Sequence, residues 1–327
     1  MEQFTYVNAT SVEQVPALLD GGKWGETMII AGGTDLLGEL QEHVETPKKL
    51  VNLKTIPGLD EIKEDGSELM IGALVTLSEI AAHPTIWMHY TALAEAAHSV
   101  GSPQIRNVGT IGGNLCQRPR CWYYRDATVN CLKKGGDICF AADGLSKYHS
   151  IFGGGPVYIV HPSDTAPALI ALGALVKIVG PKGEKMIDLE EFFVLPEDNP
   201  YRENILEPNE VVTEIHVPKP ASNMKSCYVK VREKGSIDFA LASVAAACEM
   251  DGMTCREANI VLGGVAPVPW RSKAAESVLN GKRITESGAK QAGEAAVKNA
   301  QPLNDNEYKV TLTQNIISRA ATMMADG

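Results

Sequence analysis

The sequence predicts an α+β fold with a small parallel sheet near its N-terminus. Three observations lead to this prediction. Helix and strand patterns alternate in the first quarter of the chain, as a β-α-β unit requires. A proline-rich stretch over 215–220 marks a domain boundary, because proline interrupts both helices and strand pairing. Beyond that boundary, strand patterns come first and helix patterns follow.

The β-α-β pattern of the first quarter begins after a short helix expected over 11–21. Ser11 is its predicted N-cap, and Gly21 stands just past its end. Residues 27–31 form a short apolar run that ends at two glycines, as a buried strand does. A helix over 35–42 and a second strand over 49–53 complete the unit.

The later elements follow the same reasoning from apolar periodicity. Strands are expected over 68–73, 157–160, 175–179, 227–232, 244–249 and 258–263. Helices are expected over 77–82, 90–100, 165–172, 272–279, 287–300 and 308–325.

Composition restricts the possible partners and compartment. The net charge of −10 argues against nucleic acid as a partner. The N-terminus shows no signal-peptide pattern, and no apolar stretch reaches membrane-spanning length. Seven cysteines, an odd number, do not resemble the disulfide framework of a secreted protein. We therefore expect a cytoplasmic protein without membrane insertion, although export together with a partner stays open.

Two glycine turns are candidate ligand-binding segments. Glycine lets main-chain N–H groups point at a phosphate, and each turn stands where a helix begins. A tight turn without a ligand is the alternative for each, and the three spaced glycines of the Rossmann fingerprint are absent. The candidate residues are Ala31, Gly32, Gly33, Thr34, Asp35 and Leu36 in the first turn, and Thr110, Gly113 and Asn114 in the second. Asp164 is a further candidate, with helix N-cap as its alternative role.

Four cysteines within twenty-four residues suggest thiolates gathered around one metal centre. Cys116, Cys121, Cys131 and Cys139 are separated by four, nine and seven residues. Structural zinc sites commonly use close pairs such as C-x2-C, whereas an iron–sulfur cluster tolerates scattered ligands better. Iron–sulfur, zinc and no metal therefore all stay open from spacing alone. Basic side chains in the same loop are expected to offset the thiolate charge, namely Arg118, Arg120, Arg125, Lys133 and Lys134.

The motifs together resemble a known family, the FAD-binding medium subunit of molybdenum hydroxylases, which includes xanthine dehydrogenase and carbon monoxide dehydrogenase flavoproteins. The motifs occur in the family's order and cover nearly the whole chain. They lie at 31–36, 106–115, 163–169, 232–240 and 262–271.

The resemblance implies a two-part FAD-binding domain of the vanillyl-alcohol oxidase or PCMH type over 1–220. Its lobes would be 1–58, with a small parallel sheet, and 59–220, with a mixed or antiparallel sheet and helices. A C-terminal domain like that of the carbon monoxide dehydrogenase flavoprotein, with an antiparallel sheet and helices, would occupy 221–327. FAD would bind non-covalently, with its pyrophosphate on the first turn and its sugar-like portion near Asp164.

The stretch 116–154 resembles an insertion found in two subgroups of that family, the medium subunits of 4-hydroxybenzoyl-CoA reductase and of an iron–sulfur-containing bacterial aldehyde oxidoreductase. There the insertion carries an extra [4Fe–4S] cluster. By this resemblance Cys121, Cys131 and Cys139 are ligands, and either Cys116 or His149 is the fourth.

The implied function is electron transfer without a catalytic or substrate site in this chain. Electrons would pass between [2Fe–2S] clusters of a small partner subunit and an external acceptor through FAD. A large partner subunit would hold the molybdenum cofactor. Two alternatives stay open: a stand-alone FAD oxidoreductase of the same fold, and a zinc-stabilised binding module without a redox role.

Overall fold

A computed structural model describes residues 1–19 and 23–326 of the chain. The strands are β1 (Thr5–Asn8), β2 (Thr27–Ile30), β3 (Lys49–Asn52), β4 (Ile62–Glu64), β5 (Glu68–Gly72), β6 (Leu175–Gly180), β7 (Gly183–Asp188), β8 (Val211–Pro218), β9 (Met224–Val231), β10 (Ala242–Asp251), β11 (Thr254–Gly263), β12 (Trp270–Arg271) and β13 (Lys282–Arg283). The α-helices are α1 (Val15–Leu18), α2 (Leu36–Gln41), α3 (Leu77–Ala82), α4 (Pro84–His89), α5 (Thr91–Ser99), α6 (Pro103–Arg106), α7 (Ile111–Leu115), α8 (Trp122–Arg125), α9 (Thr165–Ala171), α10 (Lys273–Leu279), α11 (Glu286–Val297) and α12 (Tyr308–Asp326). Short 3-10 turns occur at Val12–Gln14, Leu132–Lys134 and Leu189–Phe192.

The first sheet is parallel, as the alternating pattern predicts. Its order is β1-β3-β2, and Lys49 pairs with Thr5 on one side and Thr27 on the other. The β1 strand was not predicted, because its residues are mostly exposed and show no apolar run. The helix expected over 11–21 forms only a 3-10 turn and the short α1, and the Ser11 side chain makes no capping bond to the described backbone. Gly21 lies outside the described residues.

The second sheet is antiparallel, in the order β4-β5-β8-β6-β7. Its central strand β8 includes residues 215–218, so strand pairing continues through the first part of the proline-rich stretch. Ile215 pairs with Ile71 on one side and Val176 on the other, and pairing with β5 continues as far as Pro218. The reason is that proline removes only its own N–H from a ladder, so the residues before it remain free to pair.

The third sheet is also antiparallel, in the order β12-β11-β10-β9, with β13 pairing to β11. Helices α10, α11 and α12 pack on it and enclose a core that includes Ile260, Leu262 and Ile317. On the other side, α5 and α9 pack between this sheet and the second sheet, with Leu93 and Leu169 in the shared core. The observed mixed α+β architecture confirms the predicted fold class.

One further predicted element differs from the structure. Residues 157–160 do not form a strand, although they are largely buried. Their backbone makes isolated contacts instead, such as the hydrogen bond from Ser150 N to Tyr158 O at 3.0 Å. A buried apolar run alone does not establish that a neighbouring strand is present. The helix expected over 90–100 is confirmed as α5, with Tyr90 separating it from α4.

Among the described residues, no helix is long and apolar enough to cross a membrane.

Candidate functional site

The two glycine turns pack directly against each other. A Cβ on Gly32 would overlap the main-chain carbonyl of Val108, just before the second turn. Leu77 N donates to Gly109 O at 2.9 Å, which fixes the second turn to helix α3. Position 32 therefore has to be glycine because the main chains of the two turns contact each other there. The groove described below lies beside this contact.

Gly33 adopts a left-handed backbone conformation with φ of 72°. Residues other than glycine rarely adopt this backbone conformation. A Cβ here would also lie 3.0 Å from Leu37 Cδ1. The Gly33 carbonyl accepts a hydrogen bond from Leu37 N at 3.1 Å as helix α2 begins. The backbone conformation of the first turn is thus determined by the local sequence.

In the second turn, three of the predicted binding residues have partners within the protein. Thr110 Oγ1 accepts a hydrogen bond from Gly113 N at 3.2 Å and so caps α7. Asn114 Oδ1 accepts from Thr165 Oγ1 at 2.6 Å and from Ser163 Oγ at 2.5 Å. These bonds connect the second turn to helix α9.

One groove of about 440 Å³ collects all the predicted cofactor residues. Both glycine turns contribute to its wall, which also includes Lys230 and Phe239. The predicted residues that line it are Ala31, Gly32, Gly33, Thr34, Asp35, Leu36, Thr110, Gly113, Asn114 and Asp164. Its volume lies within the usual range for small-molecule and cofactor sites.

Asp164 is held in the groove by two buried groups of strand β9. Tyr228 Oη donates to Asp164 Oδ1 at 2.6 Å, and Lys230 Nζ lies 2.6 Å from Asp164 Oδ2. Burial and the negative charge of Asp164 raise the pKa of Tyr228 well above its ordinary value. Asp164 occupies the N-cap position of α9, but its side chain makes no capping bond, and Ser163 Oγ accepts from Ala166 N at 3.0 Å instead.

Sequence reasoning did not identify Tyr228 and Lys230. Their spacing could have identified them as a pair, because residues two positions apart in a strand lie on the same face of the sheet.

A second cavity of about 400 Å³ joins this groove to the cysteine loop, defined as residues 116–154. Asp164 and Phe239 line both cavities, whereas Cys121 and His149 line the second. The Arg120 guanidinium stacks over the Phe239 ring at 5.0 Å from its centroid. The groove and the cysteine loop are therefore neighbours in space.

The cysteine loop brings Cys121 and His149 together, with His149 Nε2 lying 3.2 Å from Cys121 Sγ. Burial is the main cause that raises the pKa of Cys121 to about 11; main-chain hydrogen bonds at Tyr124 and Tyr123 oppose the shift, and the Cys139 and Cys131 thiols contribute to it. Burial, and to a lesser extent the charge of Lys309, lowers the pKa of His149 to about 4. The imidazole is thus neutral at pH 7, the form that binds metals.

Cys116 lies apart from this group, on the wall of the groove. Burial, followed by the nearby Glu203 carboxylate, raises the pKa of Cys116 to about 12. Within residues 1–19 and 23–326, no three His, Cys, Asp or Glu side chains meet closely enough to hold a single metal ion.

Most of the basic side chains of the loop bind carboxylates, contrary to their predicted role of offsetting thiolate charge. Asp35 receives a hydrogen bond from Arg118 N at 2.7 Å, and its Oδ1 lies 2.7 Å from Arg125 Nη2 and 3.0 Å from Arg120 Nη1. Lys134 Nζ instead donates to the main-chain oxygen of Asp126. The reason is that each partly buried cation needs a close anionic or carbonyl partner.

Glu203 is a buried acid of this network. Its carboxylate lies 2.9 Å from Arg118 Nε and 2.6 Å from Lys133 Nζ. Burial works to raise the pKa of Glu203, but the two cations outweigh it and hold the pKa below its ordinary value. These ion pairs thus attach the cysteine loop to the second lobe.

Comparison with known families assigns both parts of the chain. Residues 2–220 match the family described as FAD binding domain in molybdopterin dehydrogenase. Residues 226–324 match the CO dehydrogenase flavoprotein C-terminal domain.

Similar proteins extend over almost the full length. The chain is 35% identical over 322 residues to the aldehyde oxidoreductase FAD-binding subunit PaoB of Escherichia coli (strain K12), with 97% of each chain covered. It is 29% identical to the carbon monoxide dehydrogenase medium chain of Hydrogenophaga pseudoflava, with 97% of this chain and 96% of that protein covered. The solved structure of carbon monoxide dehydrogenase from Hydrogenophaga pseudoflava, in a form lacking the Mo-pyranopterin moiety, superposes with a TM-score of 0.79 at 28% identity over 99% of this chain and 98% of that chain.

Proposed function

The chain belongs to the family of FAD-binding subunits of molybdenum hydroxylase-type dehydrogenases, and on this basis we propose that it carries electrons through FAD in a multi-subunit complex. It is an oxidoreductase subunit. The observation that carries the proposal is that all ten predicted cofactor residues line one groove between the glycine turns.

What suits the groove to FAD is its lining, which includes both glycine turns, Thr34 and Asp164. When bound, FAD supplies the redox chemistry, while the protein provides binding, orientation and electrostatics. We assign the main-chain N–H groups of residues 31–36 and the Thr34 hydroxyl to its pyrophosphate. Asp164, fixed by Tyr228 and Lys230, is assigned to the sugar-like portion.

The partners follow from what similar chains are called. Two carbon monoxide dehydrogenase relatives are named medium chains. We infer a large subunit with the molybdenum cofactor and a small subunit with [2Fe–2S] clusters, so that electrons pass between those clusters and an external acceptor. Full-length similarity to such subunits favours this function over a stand-alone oxidoreductase or a zinc-stabilised module. The cytoplasmic location predicted from the sequence is part of the same proposal.

We further assign a [4Fe–4S] cluster to the cysteine loop, with Cys121, Cys131, Cys139 and His149 as ligands. What supports this donor set is that the Cys139 and Cys131 thiols act electrostatically on Cys121 and that His149 lies beside Cys121, so the four side chains belong to one region of the loop. The buried His149 Nδ1 has no hydrogen-bond partner in the described structure, so no protein hydrogen bond fixes the tautomer of this ring. A zinc ion lies about 2.0–2.3 Å from each of its ligands. It therefore needs ligands that lie closer to one another than any three candidate side chains among the described residues do.

The first experiment is an anaerobic visible spectrum of the full-length chain, with flavin, iron, sulfide and zinc quantified on one sample. We expect one FAD and about four iron atoms per chain, as a cubane cluster requires. Flavin with zinc, or with no metal, would remove the cluster and leave the flavoprotein. Folded protein without flavin would contradict the proposed function as a whole.

Matched variants then decide the ligand set. Cys131→Ser and His149→Ala should lose iron and retain flavin. Cys116→Ser should retain iron, because Cys116 faces the groove. The reverse result, with iron lost in Cys116→Ser and kept in His149→Ala, would move the fourth ligand to Cys116.

A further inference from the structure

The second cavity, of about 400 Å³, has five ring side chains in its wall, namely Trp122, Tyr148, His149, His161 and Phe239. The ring centroid of Trp122 lies 5.6 Å from that of Tyr148 and 5.4 Å from that of His149, and both contacts are edge to face. Rings in a cavity wall pack well against a flat ligand ring, and the volume lies within the usual range for small-molecule sites.

Three of these ring side chains have a buried nitrogen without a hydrogen-bond partner among the described residues: Trp122 Nε1, His149 Nδ1 and His161 Nε2. His149 is assigned to the cluster above, which leaves Trp122 and His161 for a ligand of the cavity. An indole N–H can only donate, whereas His161 Nε2 donates or accepts according to the tautomer of its ring. The His161 side chain is only 2% exposed. A buried polar atom without a partner costs free energy, which a ligand with a suitable polar atom would recover.

The charged groups of this wall favour an uncharged ligand. Arg120 Nη1 already lies 3.0 Å from Asp35 Oδ1, and Glu233 is paired with Lys147. Neither glycine turn is among the described residues that line this cavity, so the main-chain donors assigned above to a pyrophosphate are not available in it. The wall thus suits an aromatic ring with carbonyl acceptors better than it suits a dinucleotide.

The cavity lies directly beside the groove assigned to FAD. Asp164 and Phe239 line both, and the Arg120 guanidinium stacks on Phe239 at the boundary between them. Ile237 also lines both cavities and is exposed, so this boundary reaches the surface of the protein. A ligand that enters the second cavity is therefore a neighbour of the flavin and can exchange electrons with it.

We propose that the second cavity binds the external electron acceptor, and that this acceptor is a quinone. Trp122 Nε1 donates to a carbonyl oxygen of the quinone, and His161 Nε2 bonds to the ligand either as quinone or as hydroquinone. The quinone receives two electrons and two protons from FADH2, so that its two carbonyl oxygens become hydroxyl groups and FAD is regenerated. This inference rests on the FAD function proposed above.

The test is the binding of duroquinone to the full-length chain loaded with oxidised FAD, measured by anaerobic titration calorimetry. Every ring carbon of duroquinone carries a methyl group or an oxygen, so it does not add to the free cysteines of the chain. Trp122→Phe keeps a ring and removes the N–H, so the Kd should rise about tenfold, as for the loss of one hydrogen bond. The rate at which low concentrations of duroquinone reoxidise chemically reduced flavin should fall by the same factor.

Two further variants complete the series. Trp87→Phe is the matched control, because Trp87 lies on α4, outside the cavity wall, and its Nε1 already donates to Ala81 O. Its Kd for duroquinone should equal that of the wild type. His161→Leu removes the second nitrogen and should also raise the Kd about tenfold, and it decides the matter if Trp122→Phe does not fold.

The outcomes separate this inference from the proposed function. Flavin-loaded wild type that does not bind duroquinone, or variants of Trp122 and His161 that bind it as the wild type does, would overturn the quinone site alone. Loss of flavin from both variants would make the cavity part of the flavin site and would also overturn it. Binding of NAD⁺ that Trp122→Phe weakens would assign the cavity to a dinucleotide instead. Folded wild type without flavin would overturn the proposed function and this inference together.

Discussion

The flavin groove and the cysteine loop are adjacent, yet they are built by different means. The groove is made by regular elements and main-chain contacts, such as the packing of Gly32 on the carbonyl of Val108. The cysteine loop has little regular structure beyond α8 and a 3-10 turn, and charged side chains attach it to its surroundings. Main-chain packing therefore determines the shape of the groove, whereas ion pairs between residues far apart in sequence hold the cysteine loop in place.

The largest effect is expected at Glu203, the buried acid that pairs with cations of the cysteine loop. It tests whether ion pairs hold the loop in place. Glu203→Gln leaves the Lys133 ammonium buried without its carboxylate. We expect the free energy of unfolding to fall by about 3–5 kcal/mol, as for other broken buried ion pairs. Urea denaturation measures it, with Glu207→Gln as the exposed control. A loss no greater than that of the control would contradict the electrostatic account of the loop.

The second effect tests the backbone account of the groove. Gly32→Val places a side chain into the carbonyl of Val108 and should cost about 2–3 kcal/mol, because the backbone has to move. Flavin binding should be lost with it. Gly38→Ala is the matched control, since a Cβ there meets nothing within 4 Å. Flavin retained at wild-type affinity in Gly32→Val would show that the contact between the turns is dispensable.

A third prediction concerns the boundary between the two regions, where Glu39 of α2 accepts a hydrogen bond from Tyr124 of the loop at 2.9 Å. Burial raises the pKa of Glu39 to about 7, although Arg125 opposes the shift. The folded state therefore binds a proton that the unfolded state releases near pH 4.5. The resulting stability is present below that pH and is lost as pH rises to about 7.

We expect a contribution of about 1–2 kcal/mol, since relaxation around a buried carboxyl weakens the effect of burial. The measurement is the difference in unfolding free energy between wild type and Glu39→Gln, which keeps the acceptor for Tyr124, at pH values from 4 to 8. A difference that does not vary with pH would show that folding does not raise the pKa of Glu39.

The smallest effect is expected at the surface of the cysteine loop. Lys147 and Glu233 form an ion pair in which both side chains are largely exposed. Solvent and salt screen such pairs, so Lys147→Met should leave the urea midpoint unchanged within error. A clear drop in the midpoint would mean that the loop depends on surface charge as well as on its buried pairs.

Local sequence predicted the groove well because its determinants are local. Gly33 has to adopt a positive φ, and the apolar run before it forms strand β2 as expected. The pairing of residues 215–218 within β8 was not predicted, because pairing partners are not visible in a proline pattern. Likewise, the arginines were assigned to the thiolates because their observed partners, Glu203 for Arg118 and Asp35 for Arg120 and Arg125, stand far away along the chain.

The sequence by itself determined the α+β class and the two glycine turns that form part of the groove wall. Glycine conformations and apolar periodicity act over a few residues, so they can be read from the chain directly. Only the tertiary structure separated Cys116 from the other cysteines, paired Asp164 with Lys230 and placed Lys309 beneath the His149 segment. Those contacts join residues up to about 160 positions apart, and charge and burial at such separations exist only after the domains have packed.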